Sequence, residues 1–356
     1  MITDTAGADR PMGVFTGDFI FVGDVGRPDL LERAAGYGGT MEAGARTLFR
    51  SLRRFSESLP DYVQLWPGHG AGSACGKSLG AVPQTTLGYE RLFNWGLTTS
   101  DEEEFVRSVL AGQPEPPKYF AEMKRINKDG PRILGGLPHP PRLPEDRLAQ
   151  VLEKGTLVID TRPAGEYAVE HVPGTINIPL NRSFTTWAGW LIPYDGGFSL
   201  IVEEASAAEA ARDLAMIGLD RLEGYFTPHA VQGWRKQGRE MRRVGQITSA
   251  ELAERLARGE VNVLDVRGEA EYLAGHVPAV PNIPVGRLTD RMEEIPRDRP
   301  LVVHCQGGAR SAIAASVLQA HGLTDVLNLT GGFEEWVATG GATEVGEATE
   351  LPLPGK

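Results

Sequence analysis

A chain of 356 residues is too long for one ordinary hydrophobic core, and at roughly 100–150 residues per domain it calls for two or three. Its hydrophobic fraction of 41% and charged fraction of 23% suit a soluble globular protein, and no apolar run approaches the ~20 residues that cross a bilayer. A net charge of -11 without a Lys/Arg cluster argues against nucleic acid as a partner, while small anions still fit because they need only a local nest of donors.

The opening segment, MITDTAGADRPMG, has no basic stretch leading into an apolar one, so no signal peptide and a cytoplasmic location are expected. Next come VFTGDFIFVGDVGRPD (residues 14–29), a helically patterned GTMEAGARTLFRSLRRF (39–55) and VQLWPGHGAGSACGKSLG (63–80). Together they resemble the C-terminal half of a metallo-β-lactamase-fold enzyme, closest to persulfide dioxygenases. The resemblance implies that Asp18, in the Thr-Gly-Asp turn, is a metal-ligating carboxylate. It implies that His69, in Pro-Gly-His-Gly, binds the second metal in two-metal members. Cys75, six residues after His69, would lie near the metal of a complete fold and is a candidate for relaying a persulfide to iron. The family draws its principal ligands from a His-x-His-x-Asp-His run ahead of the Thr-Gly-Asp turn, and here His69 is the first of seven histidines. A catalytic metal usually needs three protein ligands. Asp18 and His69 are therefore expected to be a remnant site, with the iron or zinc of full-length relatives not bound. About 100 residues of an ordinary domain are expected to be missing, most simply through a gene model starting at an internal Met.

Residues 131–144 are rich in Pro and Gly and suit a semi-rigid linker after the truncated region (1–130). Beyond the linker, DTRPAGEYAVEHVPGTINIP (160–179) and DVRGEAEYLAGHVPAVPNIP (265–284) match in register, which marks a duplicated domain over 145–242 and 243–345 with a short tail, 346–356. Each copy alternates strands with helices. In the second, Thr248 or Ser249 caps a helix, VNVLDV and LVVHC read as buried strands, and SAIAASVLQAHG is a helix closed by Gly322. This alternation predicts mostly parallel sheets with helices on their faces, an α/β architecture throughout.

In LVVHCQGGARSAIAASVL a strand runs into Cys305, and a helix starts near Arg310. Ligand sites of open α/β sheets lie where strands end at their carboxyl edge. Gly307 and Gly308 let successive amides converge, the helix N-terminus adds partial positive charge, and Arg310 adds a full one. All three favour thiolate over thiol. This loop, with the DVR…EY…GHVP…NIP pattern before it and GGFEEW after it, resembles a rhodanese domain. That resemblance implies that Cys305 accepts a sulfane sulfur as a persulfide and passes it to a thiol or other acceptor. Gln306, Gly307, Gly308 and Ala309 would cradle the outer sulfur, and Arg310 would attract an anionic donor such as thiosulfate. No cofactor is required for that chemistry. The Cys-x4-Arg ring is shorter than the Cys-x5-Arg ring of related phosphatases and suits sulfur better than phosphate. His304 is read as a packed side chain bonded to backbone, and His171 and His276, equivalent in the two copies, as structural.

In the first copy the matching strand is SLIVEE, without a cysteine; its Glu203 and Glu204 would repel an anionic donor, so 145–242 is read as an inactive rhodanese-like domain. The aromatic insertion NRSFTTWAGWLIPYDGG is read as interdomain packing in preference to a cover for a site. Full-length relatives fuse a dioxygenase to two rhodanese domains, the first inactive and the second active. The resulting expectation is a sulfurtransferase in sulfide and persulfide detoxification, acting on small sulfur donors and thiol acceptors, with homo-oligomerisation compatible with the sequence. The competing expectations are a non-catalytic sulfur carrier and a metallohydrolase of the glyoxalase II type.

Overall fold

Three parallel-rich sheets organise the chain in a computed structural model that describes all residues except 8, 34–35, 37, 72–78, 114 and 347–356. Contacts divide it into two compact units, Met1–Ala121 and Glu122–Lys356.

In the first unit, strand β1 (Gly13–Gly17) lies parallel to β2 (Gln64–Pro67), which pairs antiparallel with β3 (Thr85–Thr86). The helices are α1 (Leu30–Arg33), α2 (Met41–Ser58), α3 (Leu87–Phe93), α4 (Trp95–Thr98) and α5 (Glu102–Leu110). Helix α2 is amphipathic, as its sequence pattern predicts, and buries Ala45 and Leu52 against a core containing Leu65, Leu97 and Phe105. Helix α6 (Tyr119–Asp129) comes next.

The second unit contains both repeats. Helix α7 (Leu148–Glu153), β4 (Leu157–Asp160), α8 (Ala164–Val169), β5 (Ile176–Asn177), α9 (Phe184–Leu191), β6 (Phe198–Ile201), α10 (Ala207–Met216), β7 (Leu222–Phe226) and α11 (His229–Lys236) build the first. Its strands run in the order β5-β4-β6-β7, all parallel. The second comprises β8 (Gly245–Ile247), α12 (Ser249–Ala257), β9 (Asn262–Asp265), α13 (Glu269–Ala274), β10 (Leu301–His304), α14 (Ala309–Ala320), β11 (Val326–Leu329) and α15 (Gly332–Ala338). Its parallel order is β8-β11-β10-β9. Thr248 is the cap of α12, in a reciprocal capping box with Glu251. The α/β class expected from the sequence is the observed one.

The repeated residues share one scaffold. In the first repeat Arg162 chelates Asp160, the Tyr167 hydroxyl donates to Thr175 O at 2.7 Å, and Asn177 Nδ2 donates to Asp160 O and Arg162 O. In the second, Arg267 chelates Asp265, Tyr272 donates to Val280 O at 2.7 Å, and Asn282 donates to Asp265 O and Arg267 O. His171 and His276 each place Nδ1 2.9 Å from the carbonyl of that tyrosine and stack on its ring. These hydrogen bonds clamp the strand that precedes each site to the loop beyond it.

The two repeats also share a core, running from Ile159, Phe198 and Leu214 to Val303, Ile313 and Val317. Helix α14 is buried over nearly its whole circumference, which a helix tolerates only when both sides are covered. The first repeat provides one of those covers, through β5 and α8. The Asn177 amide donates to Ser316 Oγ at 2.9 Å within that contact. In the aromatic insertion, Trp190 sits over Gly286, where an added Cβ would come within 2.3 Å of the indole. The insertion is thus packing between repeats.

Candidate active site

Cys305 directly succeeds β10 and lies at 1% exposure. The chain turns back through Gly308, whose φ of +94° favours glycine, and Gly308 serves as the N-cap of α14. The Gly308 amide points at Cys305 Sγ at 3.2 Å, and Ser311 Oγ lies 3.5 Å from the same sulfur. The sulfur is thus held at the N-terminus of a twelve-residue helix, where amide dipoles favour negative charge. From behind, the amides of Phe333 and Glu334 donate to Cys305 O and Gln306 O. Gly332 makes that approach feasible, since a Cβ there would stand 2.4 Å from Cys305 O. The side chain of Gln306 accepts from buried Arg267 at 3.3 Å, so the loop is tied to the Asp265–Arg267 clamp as well.

Arg310 is near the sulfur but not free. Its guanidinium donates to both oxygens of Glu271, at 2.5 and 2.7 Å. That pairing holds Arg310 still more firmly protonated, against the opposing effect of burial. Burial alone would raise the Glu271 carboxyl, yet Arg310 and the Gly268 amide outweigh it and hold the group below the usual carboxylate range. An incoming anion therefore meets an ion pair at Arg310, not a bare cation. Arg267, Glu271 and Gly332 lie in the motifs that carry the resemblance but were given no role from the sequence, and Ser311 was not singled out.

His304 is fully buried, and desolvation lowers its pKa. Its ring nitrogens have no well-formed hydrogen bond among the described residues, and Nε2 stands 3.7 Å from Asp265 Oδ2. The expected bond to backbone is reduced to a weak approach to the Cys305 backbone, because the ring lies inside the sheet end, beside Phe333.

Register identifies what replaces the nucleophile in the first repeat. His304 pairs with Asp265 across β10 and β9, and Ile201 pairs with Asp160 across β6 and β4. Val202 therefore occupies the place of Cys305, and helical winding resumes at Glu204. Glu203 and Glu204 are exposed there, with Glu204 paired to Arg142.

In the N-terminal unit the parallel strands β1 and β2 end side by side, and the turns after them bring Asp18 Oδ1 within 3.0 Å of His69 Nε2. Glycine at position 68 leaves room, since a Cβ would stand 3.2 Å from that carboxylate. No group of three metal-ligating side chains exists among the described residues. Two donors do not fit an iron or zinc centre by themselves. Cys75 lies outside the described residues.

Known proteins resemble this chain in sequence and fold. The rhodanese-like domain model matches residues 145–226 and 248–339. A sulfurtransferase of Allochromatium vinosum is 41% identical over 98 residues, covering 27% of this chain and 92% of that protein. The chain belongs to the rhodanese family. A thiosulfate sulfurtransferase of Pseudoalteromonas translucida is 34% identical over 92 residues, 26% of this chain and 88% of the relative. Such relatives support sulfur transfer as the general chemistry of this rhodanese. A metallo-β-lactamase structure from Staphylococcus aureus has 43% identity and a TM-score of 0.56; the match covers 63% of this chain and 61% of that one, under two thirds of its length. The order of a metallo-β-lactamase-like N-terminal part followed by two rhodanese-like domains is that of the fusion the sequence suggests.

Proposed function

We propose that this rhodanese moves sulfane sulfur through a persulfide on Cys305, in the disposal of sulfide and persulfide. The observation that carries the reading is the Cys305 sulfur itself, fixed at a helix N-terminus with the Gly308 amide aimed at it. In the first half-reaction the Cys305 thiolate attacks the outer sulfur of thiosulfate. The new Sγ–S bond forms as the S–S bond of the donor breaks, and sulfite leaves with the electron pair. In the second, an acceptor thiolate attacks the outer sulfur, the Cys305 thiolate leaves, and an acceptor persulfide is released. Neither step needs an outside oxidant or a metal. The loop amides from Gln306 to Ala309 stabilise the outer sulfur in its anionic form. Ser311 holds Sγ in line, and Arg310 with Glu271 forms the polar rim.

The first repeat, with Val202 in place of the cysteine, acts by packing against α14. The Asp18–His69 pair takes no part, and small sulfur donors and thiol acceptors are the partners. The described residues contain no helix long and apolar enough to cross a membrane. Sustained thiocyanate release from thiosulfate and cyanide tests the reading. A single equivalent per chain would instead mark a sulfur carrier without turnover.

A further inference from the structure

The hydrogen bonds of His276 need one proton more than a neutral imidazole has. The ring is buried and stacks on Tyr272 with centroids 3.7 Å apart. Its Nδ1 stands 2.9 Å from Tyr272 O, and its Nε2 stands 3.1 Å from Oε1 of the half-exposed Glu344 carboxylate. Both oxygens only accept, so both ring nitrogens must donate, whereas a neutral ring carries a single N–H. The charged groups beside the ring are Glu344, from the C-terminal segment, and Arg267, after β9. Arg267 donates to Gly275 O at 2.7 Å and is matched by Asp265.

The first repeat makes the same backbone bridge with the opposite charge. His171 and Arg242 exchange N–H···O bonds of 2.8 and 3.0 Å, as His276 and Glu344 exchange two of 2.9 Å. Burial first, then the charges of Arg162 and Arg242, lower the pKa of His171 to about 4 against the Tyr167 carbonyl and Gln319. Glu344 reverses that setting in the second repeat. Its Oε1 also accepts from the Ala279 amide at 3.0 Å. Ala279 is the one non-glycine with positive φ among the described residues, at 58°, where the first repeat has Gly174.

We infer that His276 and Glu344 form a proton-operated latch, closed while the imidazole is charged, that fastens the C-terminal segment over α13 and the turn at Ala279. When Nε2 gives its proton to solvent, a lone pair faces the carboxylate oxygen and the contact turns repulsive. The latch closes as pH falls and opens as pH rises, opposite to the pH response of His171. Trp336 Nε1 keeps its bond to Ala342 O, so the part that lifts is Glu344 to Gly346, whose last amide donates to Leu273 O of α13. Helix α13 also carries Glu271, so opening loosens the helix that holds Arg310.

Hydrogen exchange of the full chain at about pH 6 and about pH 8, corrected for the intrinsic rate, spans the ordinary imidazole range near ~6.5. One proton allows at most about tenfold per pH unit. Peptides holding the His276, Ala279 and Glu344 amides should lose about tenfold in protection between the two conditions, while those holding His171 and Arg242 keep theirs. Glu344→Gln changes only a half-exposed side chain and should show the low protection at both pH values. Long-range ¹H–¹⁵N spectra of the rings should find both His276 nitrogens protonated at about pH 6 and the His171 ring neutral. Protection at His276 that does not change with pH, the same fall in Glu344→Gln, or a neutral His276 ring at about pH 6 would each overturn the latch.

Discussion

Glu271 sets how much of the charge of Arg310 an incoming anion feels, since it takes both arms of the guanidinium. Glu271→Gln keeps an oxygen for the Gly268 amide while removing the negative charge. It should lower KM for thiosulfate roughly threefold or more in low salt, with the gain fading as ionic strength rises, in steady-state kinetics. Gly332→Ala tests the rear of the loop. With φ at +61° and Cys305 O in the way, the variant should lose about 1–3 kcal/mol in urea unfolding and most of its sulfur transfer. Cys305, Gly307, Gly308 and Arg310 could be grouped from the sequence because they fall within six residues between a strand and a helix. Glu271 lies 39 residues from Arg310, so their pairing depends on a fold that no local pattern discloses.

Helix α14 shows how the surroundings of an element can be read. Its run of Ala, Ile, Val and Leu signals burial, and the structure supplies the second cover from the first repeat. What could not be read was the hydrogen bond from the buried Asn177 amide to Ser316 Oγ. Ser316→Ala strands that amide and should cost about 1–3 kcal/mol, measured as a lower urea midpoint with unchanged slope. The Asp-Arg-Tyr-His-Asn positions were evident from their recurrence, but recurrence alone does not distinguish a clamp from a site. His171 supplies the pH test of that clamp. Burial lowers its pKa to about 4 from 6.5, so the folded state prefers the neutral ring. Its contribution is complete above pH 6.5 and is lost as pH falls from 6.5 towards 4, because the unfolded chain takes up the proton first. The full difference is worth roughly 3 kcal/mol at most. Replacing His171 with Gln should flatten this part of the stability profile in denaturant titrations at stepped pH.

The second unit of the molecule, with one core across two repeats, should behave as one body. Trp190 belongs to the repeat without a nucleophile, yet it packs on Gly286 of the other. Trp190→Ala should therefore reduce hydrogen-exchange protection in β10 and α14, although it lies far from Cys305 in sequence. The duplication was readable because the two motif runs at 160–179 and 265–284 match in register, and the domain order because the N-terminal motifs precede them. The shared core was not, because an apolar residue looks the same whether its own repeat or the neighbour covers it. Whether Cys305 carries the sulfur is decided by thiocyanate production from thiosulfate and cyanide, with wild type and Cys305→Ser compared side by side. Many turnovers are expected for wild type and none for the variant. Equal production by both, or none by a folded wild type, would contradict a persulfide on Cys305.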